Sequence, residues 1–128
     1  MDAQEVATVD TWHRLLNSGD IEQLTSLIHR DIDVGGPRGM SRGVQTFREW
    51  FGRAGVQLIP IRHFHKDKVV VVEEEGIWRS PDNGGEAGRQ VVSSLFEVDN
   101  GLITRIKRFD VLATALKEAG LHESHEVT

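Results

Sequence analysis

The forty residues Leu16–Gly55, LNSGDIEQLTSLIHRDIDVGGPRGMSRGVQTFREWFGRAG, decide how this chain folds. Just upstream, Val6, Val9, Trp12 and Leu16 recur at helical spacing and predict an amphipathic helix from about Ala3 to Ser18. Gly19 suits the left-handed position after its last turn, where a side chain is costly. Asp20 then caps a second helix, with Gln23 at the spacing of a reciprocal capping box. Ile21, Leu24, Leu27 and Ile28 form that helix's buried stripe, and the one-residue hinge implies a steep packing angle. Asp31–Val34 reads as a short strand stopped by Gly35-Gly36-Pro37. A third helix, from about Gly43 to Arg53, carries Val44, Phe47, Trp50 and Phe51.

Most of the remaining chain reads as strand. Val56–His65 contains Pro60, which belongs on an edge or at a bulge because it cannot donate to a ladder. Lys66-Asp67-Lys68 turns the chain into Val69–Trp78, and Ser80–Gly88 is a loop. Arg89–Val98 and Leu102–Phe109 are joined by Asp99-Asn100-Gly101, a type I′ hairpin signal. Val111–Ala119 closes the chain as a helix. Helices followed by an antiparallel meander predict an α+β fold, in which N-terminal helices pack on a strongly curved, mostly antiparallel sheet. Such a cone encloses a hollow. Both alternating sets of Arg89–Val98 carry apolar residues, so the second sheet face is expected to be buried as well, in a homodimer formed through that face.

A chain of 128 residues forms one domain, expected over residues 1–121, with a disordered tail at 122–128. Its net charge of −5 argues against nucleic-acid binding, which needs a basic stripe facing the phosphates. The absence of cysteine excludes disulfides, thiolate catalysis and cysteine-ligated metals. Met1–Asp10 lacks a basic start and apolar stretch, and the longest apolar run, Val69–Val72, is too short to span a bilayer. The expected location is the cytoplasm, with no membrane partner.

The order of elements and several local motifs resemble the NTF2-like superfamily, particularly its SnoaL-like and ketosteroid-isomerase-like members. The carriers are Leu16-Asn17-Ser18-Gly19-Asp20, Gly36-Pro37-Arg38-Gly39, Gly43–Phe51, Asn100-Gly101-Leu102-Ile103, and Phe109-Asp110 with Leu116 and Ala119-Gly120-Leu121. The resemblance implies a mostly apolar pocket inside the cone, open to cyclase, dehydratase or isomerase chemistry or to simple binding. The isomerases use a tyrosine on helix one, a base before the proline that ends strand one, and a protonated acid on a later strand. Those positions fall here on Trp12, Gly36 and near Ser94, so steroid-type isomerisation is not expected.

Candidate chemistry then rests on a few side chains. His63 and His65 flank Phe64 and share a strand face, where they could pass a proton or, with a carboxylate from Glu73-Glu74-Glu75, approach a metal. With no third ligand placed, no metal is expected. Asp110 closes the last strand with Arg108 on the same face; it reads either as an acid/base at the cone's mouth or as a helix N-cap. Asp31 and Asp33 share a face opposite Ile32 and Val34 and are expected to meet water, while Arg38 or Arg42 at the rim could meet an anion. The expected catalytic set is Asp110 and His63, with Arg108 as electrostatic partner. Trp12, Trp50, Phe51, Trp78 and Phe96 are expected to line the pocket around a small apolar organic ligand. Cofactor-free acid/base chemistry and a non-catalytic binding or dimerisation module are the two readings.

Overall fold

In the computed structural model, residues 4–36, 39–54, 56–79 and 86–127 are described, the side chains of residues 50–56, 79, 86 and 87 excepted. Helix α1 (Gln4–Ser18) ends at Gly19 with φ +80°, and Asp20 caps α2 (Ile21–Thr25) by accepting from the Gln23 amide at 3.1 Å. Strand β1 (Ile28–Gly36) follows, then β2 (Gly39–Arg42), α3 (Val44–Ala54), β3 (Val56–Lys66) and β4 (Val69–Arg79). The chain continues through β5 (Glu86–Asp99), β6 (Leu102–Phe109), α4 (Leu112–Ala119), a 3-10 turn at Glu123–His125 and β7 (Glu126–Val127).

The strands form one sheet in the order β2-β1-β6-β5-β4-β3-β7, antiparallel except where β1 runs alongside β6. The expected α+β architecture is present. Asn100 (φ +53°) and Gly101 (φ +78°) turn β5 into β6 in left-handed conformations that asparagine and glycine tolerate. A register shift between Pro60 and Arg62 places a bulge at the proline, which relieves the missing N–H.

Two expectations need correction. The first strand is nine residues long rather than four and forms a hairpin with β2, because the glycines read as a stop pair across it, Gly36 facing Gly39. The tail is ordered over Glu123–Val127: β7 pairs with β3, and Arg62 holds Glu126 at 2.8 Å and Glu123 at 2.6 Å. Charge pairing and strand addition, invisible to a compositional reading, give that segment its order. On the outer sheet face, α4 covers Leu95 within the chain.

Two apolar cores result. On the concave face, Val70, Val72, Val92, Phe96, Val98 and Ile106 meet Val9, Trp12, Leu15 and Leu16 of α1, Leu24 of α2 and Phe47 of α3. On the convex face, Phe64, Val71, Leu95 and Phe109 meet Ala115, Leu116 and Leu121. The alternation of β-strand side chains divides them.

Candidate functional site

A chain of polar groups runs through the concave core. His13 lies on α1 with 2% of its surface exposed, and its Nδ1 is 2.8 Å from the Val9 carbonyl. A carbonyl only accepts, so Nδ1 carries a proton and donates. The other nitrogen, Nε2, pairs with Oε2 of Glu74, a residue with no exposed surface in the middle of β4. Ser94 of β5 donates its hydroxyl to the second Glu74 oxygen at 2.7 Å. One proton must therefore sit between His13 and Glu74, giving either an imidazolium–carboxylate pair or its neutral equivalent. Both forms sum to zero charge.

This chain sits in apolar surroundings. The Trp12 ring meets the edges of His13 (4.9 Å between centroids) and Phe96 (5.0 Å), and His13 approaches Phe96 at 5.5 Å. The Trp12 indole nitrogen is buried and has no hydrogen-bond partner among the described residues. The same holds for Nε of Arg108. Arg108 stands directly across from Ser94 on β6, as Ile106 stands across from Phe96, so both share the concave face. Two buried donors on the concave face thus lack acceptors among the described residues. Buried N–H groups are rarely left so.

Nearer the N-terminus of α1, two more histidine–carboxylate pairs join helix to sheet. His63 Nε2 is 2.8 Å from Asp10, and His65 Nε2 is 3.2 Å from Glu5 and 2.8 Å from the Asp67 carbonyl. Asn17 clamps the other end of the helix, donating to the Leu58 carbonyl and accepting from its amide, both at 2.9 Å. His63 and Arg108 therefore face the same side of the sheet, whereas Asp110 is exposed on the bend after β6. Nor does Asp110 cap α4. The N-cap is Val111, with no side-chain bond.

Trp12 and Phe96 are buried against each other and Trp78 packs partly buried at the edge of the same core. The Trp78 ring folds back over Gly76, where an added Cβ would meet it at 2.8 Å, so that glycine makes room for the indole. The side chains of Trp50 and Phe51, and Arg38 entirely, lie outside the described residues. Asp31 is exposed, Arg42 is held by Asp33 at 3.0 Å, and that hydrogen bond raises the Arg42 pKa. Among the described residues no group of three or more His, Cys, Asp or Glu is arranged to hold a metal ion, and no helix is long and apolar enough to cross a membrane.

Sequence reasoning passed over His13 and used Glu74 only as a possible ligand for His63. The signals were present: His13 lies four residues after Val9 on the apolar stripe, and Glu74 alternates in phase with Val70 and Val72. A titratable residue at a core position on each of two facing elements marks a buried pair.

A SnoaL-like domain model matches residues 9–106. No curated protein matches the sequence. Among solved structures, an NTF2-like protein of unknown function from Cytophaga hutchinsonii superposes with a TM-score of 0.74 at 14% identity, covering 89% of this chain and 96% of its own. TerC, co-crystallized with polyporic acid, gives 0.74 at 18% identity over 91% of this chain and 97% of its own. SalBIII, an epoxide hydrolase/cyclase-like enzyme in pyran ring formation in salinomycin, gives 0.73 at 18% identity over 85% and 92%. At these identities the likeness speaks for the fold alone. The family match, the cone architecture and the element order agree: this chain belongs to the SnoaL-like domain family, within the NTF2-like fold.

Proposed function

We propose that the chain binds a small, largely apolar organic molecule between its helices and the concave sheet face, and moves protons on it without a cofactor. The observation that carries this reading is the buried His13–Glu74–Ser94 chain beside two unpartnered donors, Trp12 Nε1 and Arg108 Nε. A buried ion pair is poor stabilisation compared with well-packed apolar residues, and a buried donor without an acceptor costs about 1–3 kcal/mol. A ligand oxygen accepting from those donors removes that cost. In this scheme Glu74, connected through the Ser94 hydroxyl, removes or returns a proton, and His13 holds the proton count of the pair. Arg108 stabilises negative charge that develops on a ligand oxygen. Trp12, Trp78 and Phe96 supply flat walls.

Cyclisation, dehydration and isomerisation all need this proton economy, and the likeness to SalBIII and TerC is in keeping with a ring-bearing ligand. His63 beside Asp10 takes a supporting position on the same face, and Asp110 a place outside it. The test is exchange of the C–H next to the carbonyl of 2-tetralone in D2O, followed by NMR. Wild type is expected to accelerate exchange over buffer, and Glu74→Gln to lose roughly 100-fold or more of that acceleration. Equal rates in wild type and E74Q overturn the catalytic assignment.

A binding or dimerisation module without turnover is the second reading, favoured by His13 and Glu74 already satisfying each other out of solvent. Its dimer would use the uncovered part of the convex face, where Ile59 and Val91 both lie opposite Glu75 and remain 45% and 49% exposed.

A further inference from the structure

We propose that the molecule held in the cone carries an ionised acidic oxygen, a carboxylate or the anion of an acidic enol, and that Arg108 selects it. This rests on the binding reading above and names the chemical class of its ligand. Charge on the concave face does not balance among the described residues. His13 and Glu74 share one proton because the Val9 carbonyl fixes the Nδ1 hydrogen, so the pair is neutral overall. Of the Glu74 oxygens, one faces His13 and the other is taken by Ser94. At the opposite side of the face, His63 is matched by Asp10 and His65 by Glu5. Arg108 is left as a cation with no carboxylate or other hydrogen-bond acceptor among the described residues, and its Nε is out of contact with solvent.

Several other guanidinium groups among the described residues are answered within the chain. Arg105 meets Glu97 and Glu118, Arg62 meets Glu123 and Glu126, and Arg42 meets Asp33. Arginine stays charged at any physiological pH, so deprotonation cannot relieve the imbalance at Arg108. A cation held partly out of water favours an anion far more than a neutral dipole. Trp12 Nε1 adds a second donor on the same face, two positions along in register: its ring packs on Phe96, while Arg108 stands opposite Ser94. The Arg108 cation thus suits an acidic oxygen, and the aromatic rings of the face suit an aromatic body.

The experiment compares ionised probes with neutral isosteres of the same shape, by quenching of tryptophan fluorescence at pH 7 and low salt. The carboxylate arm is 2-naphthoate against 2-naphthamide. The enol arm is 2-hydroxy-1,4-naphthoquinone against its methyl ether. Wild type is expected to bind at least one ionised member about tenfold or more tightly than its neutral partner, the scale of a charge-assisted hydrogen bond. Arg108→Met should bring the two members within about twofold, with a far-UV circular dichroism spectrum matching wild type to show that the variant is folded. Arg108→Lys should keep part of the preference. Lys107→Met, whose side chain reaches Glu118 on the convex face, should keep all of it. If wild type binds both members of each pair equally, the acidic-ligand assignment falls and the pocket reading stands. If preference survives R108M, Arg108 is not the selector and the assignment also falls. If no probe binds, both readings fall together.

Discussion

The two faces of the sheet handle polarity in opposite ways. On the convex side, charges sit at the margin of the core and are answered by nearby residues: Lys107 and Arg105 both reach Glu118 on α4, and Arg62 reaches the 3-10 turn and β7. The Lys107 and Arg62 side chains also lie over the rings of Phe109 and Phe64 at 5.1 and 4.9 Å. On the concave side the charged groups are deeper. Three histidine–carboxylate pairs form there, and among the described residues Arg108 Nε and the Trp12 indole are left unmatched. The charges named on the outer face are answered within the chain, and the inner face keeps buried donors without acceptors among the described residues. Where a fold finishes its pairing it is architecture; where it leaves donors buried, a ligand is the economical explanation.

The comparison can be broken most sharply at Glu74. Glu74→Ala leaves His13 buried against nothing, and should destabilise the protein by about 3–5 kcal/mol in urea unfolding. Replacing both partners, His13→Leu with Glu74→Met, should recover most of that loss. A persistent deficit in the double variant would mean that the pair is structural glue rather than a site. Next comes Asn17, which clamps α1 to β3 at Leu58. Asn17→Ala exposes the loss of two hydrogen bonds in the same assay, expected to cost about 1–3 kcal/mol. On the convex face Glu118→Ala should stay within about 1 kcal/mol of wild type, because a part-exposed ion pair is screened by water. A loss as large as that of E74A would erase the contrast between the faces.

The smallest expected effect concerns acid. The hydrogen bond from Arg62 holds the Glu126 carboxyl below its ordinary value of 4.5, and that from Lys107, with Arg105, does the same for Glu118. A lowered folded-state value means that the stabilisation is present in full above about pH 4.5. It is lost as pH falls through the lower value. Amide exchange at Glu126 and Val127 should therefore quicken in acid before the central strands respond. A tail that stays protected until global unfolding would show that β7 is held by its backbone pairing alone.

Much of this was legible beforehand, for physical reasons that differ from place to place. Gly19-Asp20 and Asn100-Gly101 announce themselves because few residues tolerate their backbone angles or satisfy a helix end. Asp33 and Arg42 were invisible as a pair, since β2 hides in a stretch of glycines that reads as a turn. His13 was missed because pattern reading removes a polar residue from an apolar stripe instead of asking what faces it. Arg108 was found from its alternation with Asp110, yet only three-dimensional pairing shows which of the two stays on the concave side.

The parallel contact between β1 and β6 has a consequence for how the molecule is born. Ile28 pairs with Ile103 and Val34 with Ile106, so the first strand of the sheet waits for nearly the last. His13 likewise waits for Glu74. Closing loops of that length is entropically costly before any contact rewards it, which slows folding and prolongs exposure of unpaired edges. During synthesis the N-terminal helices and the β1 hairpin must therefore leave the ribosome unpartnered, and chaperone capture should be strongest for chains arrested before residue 102.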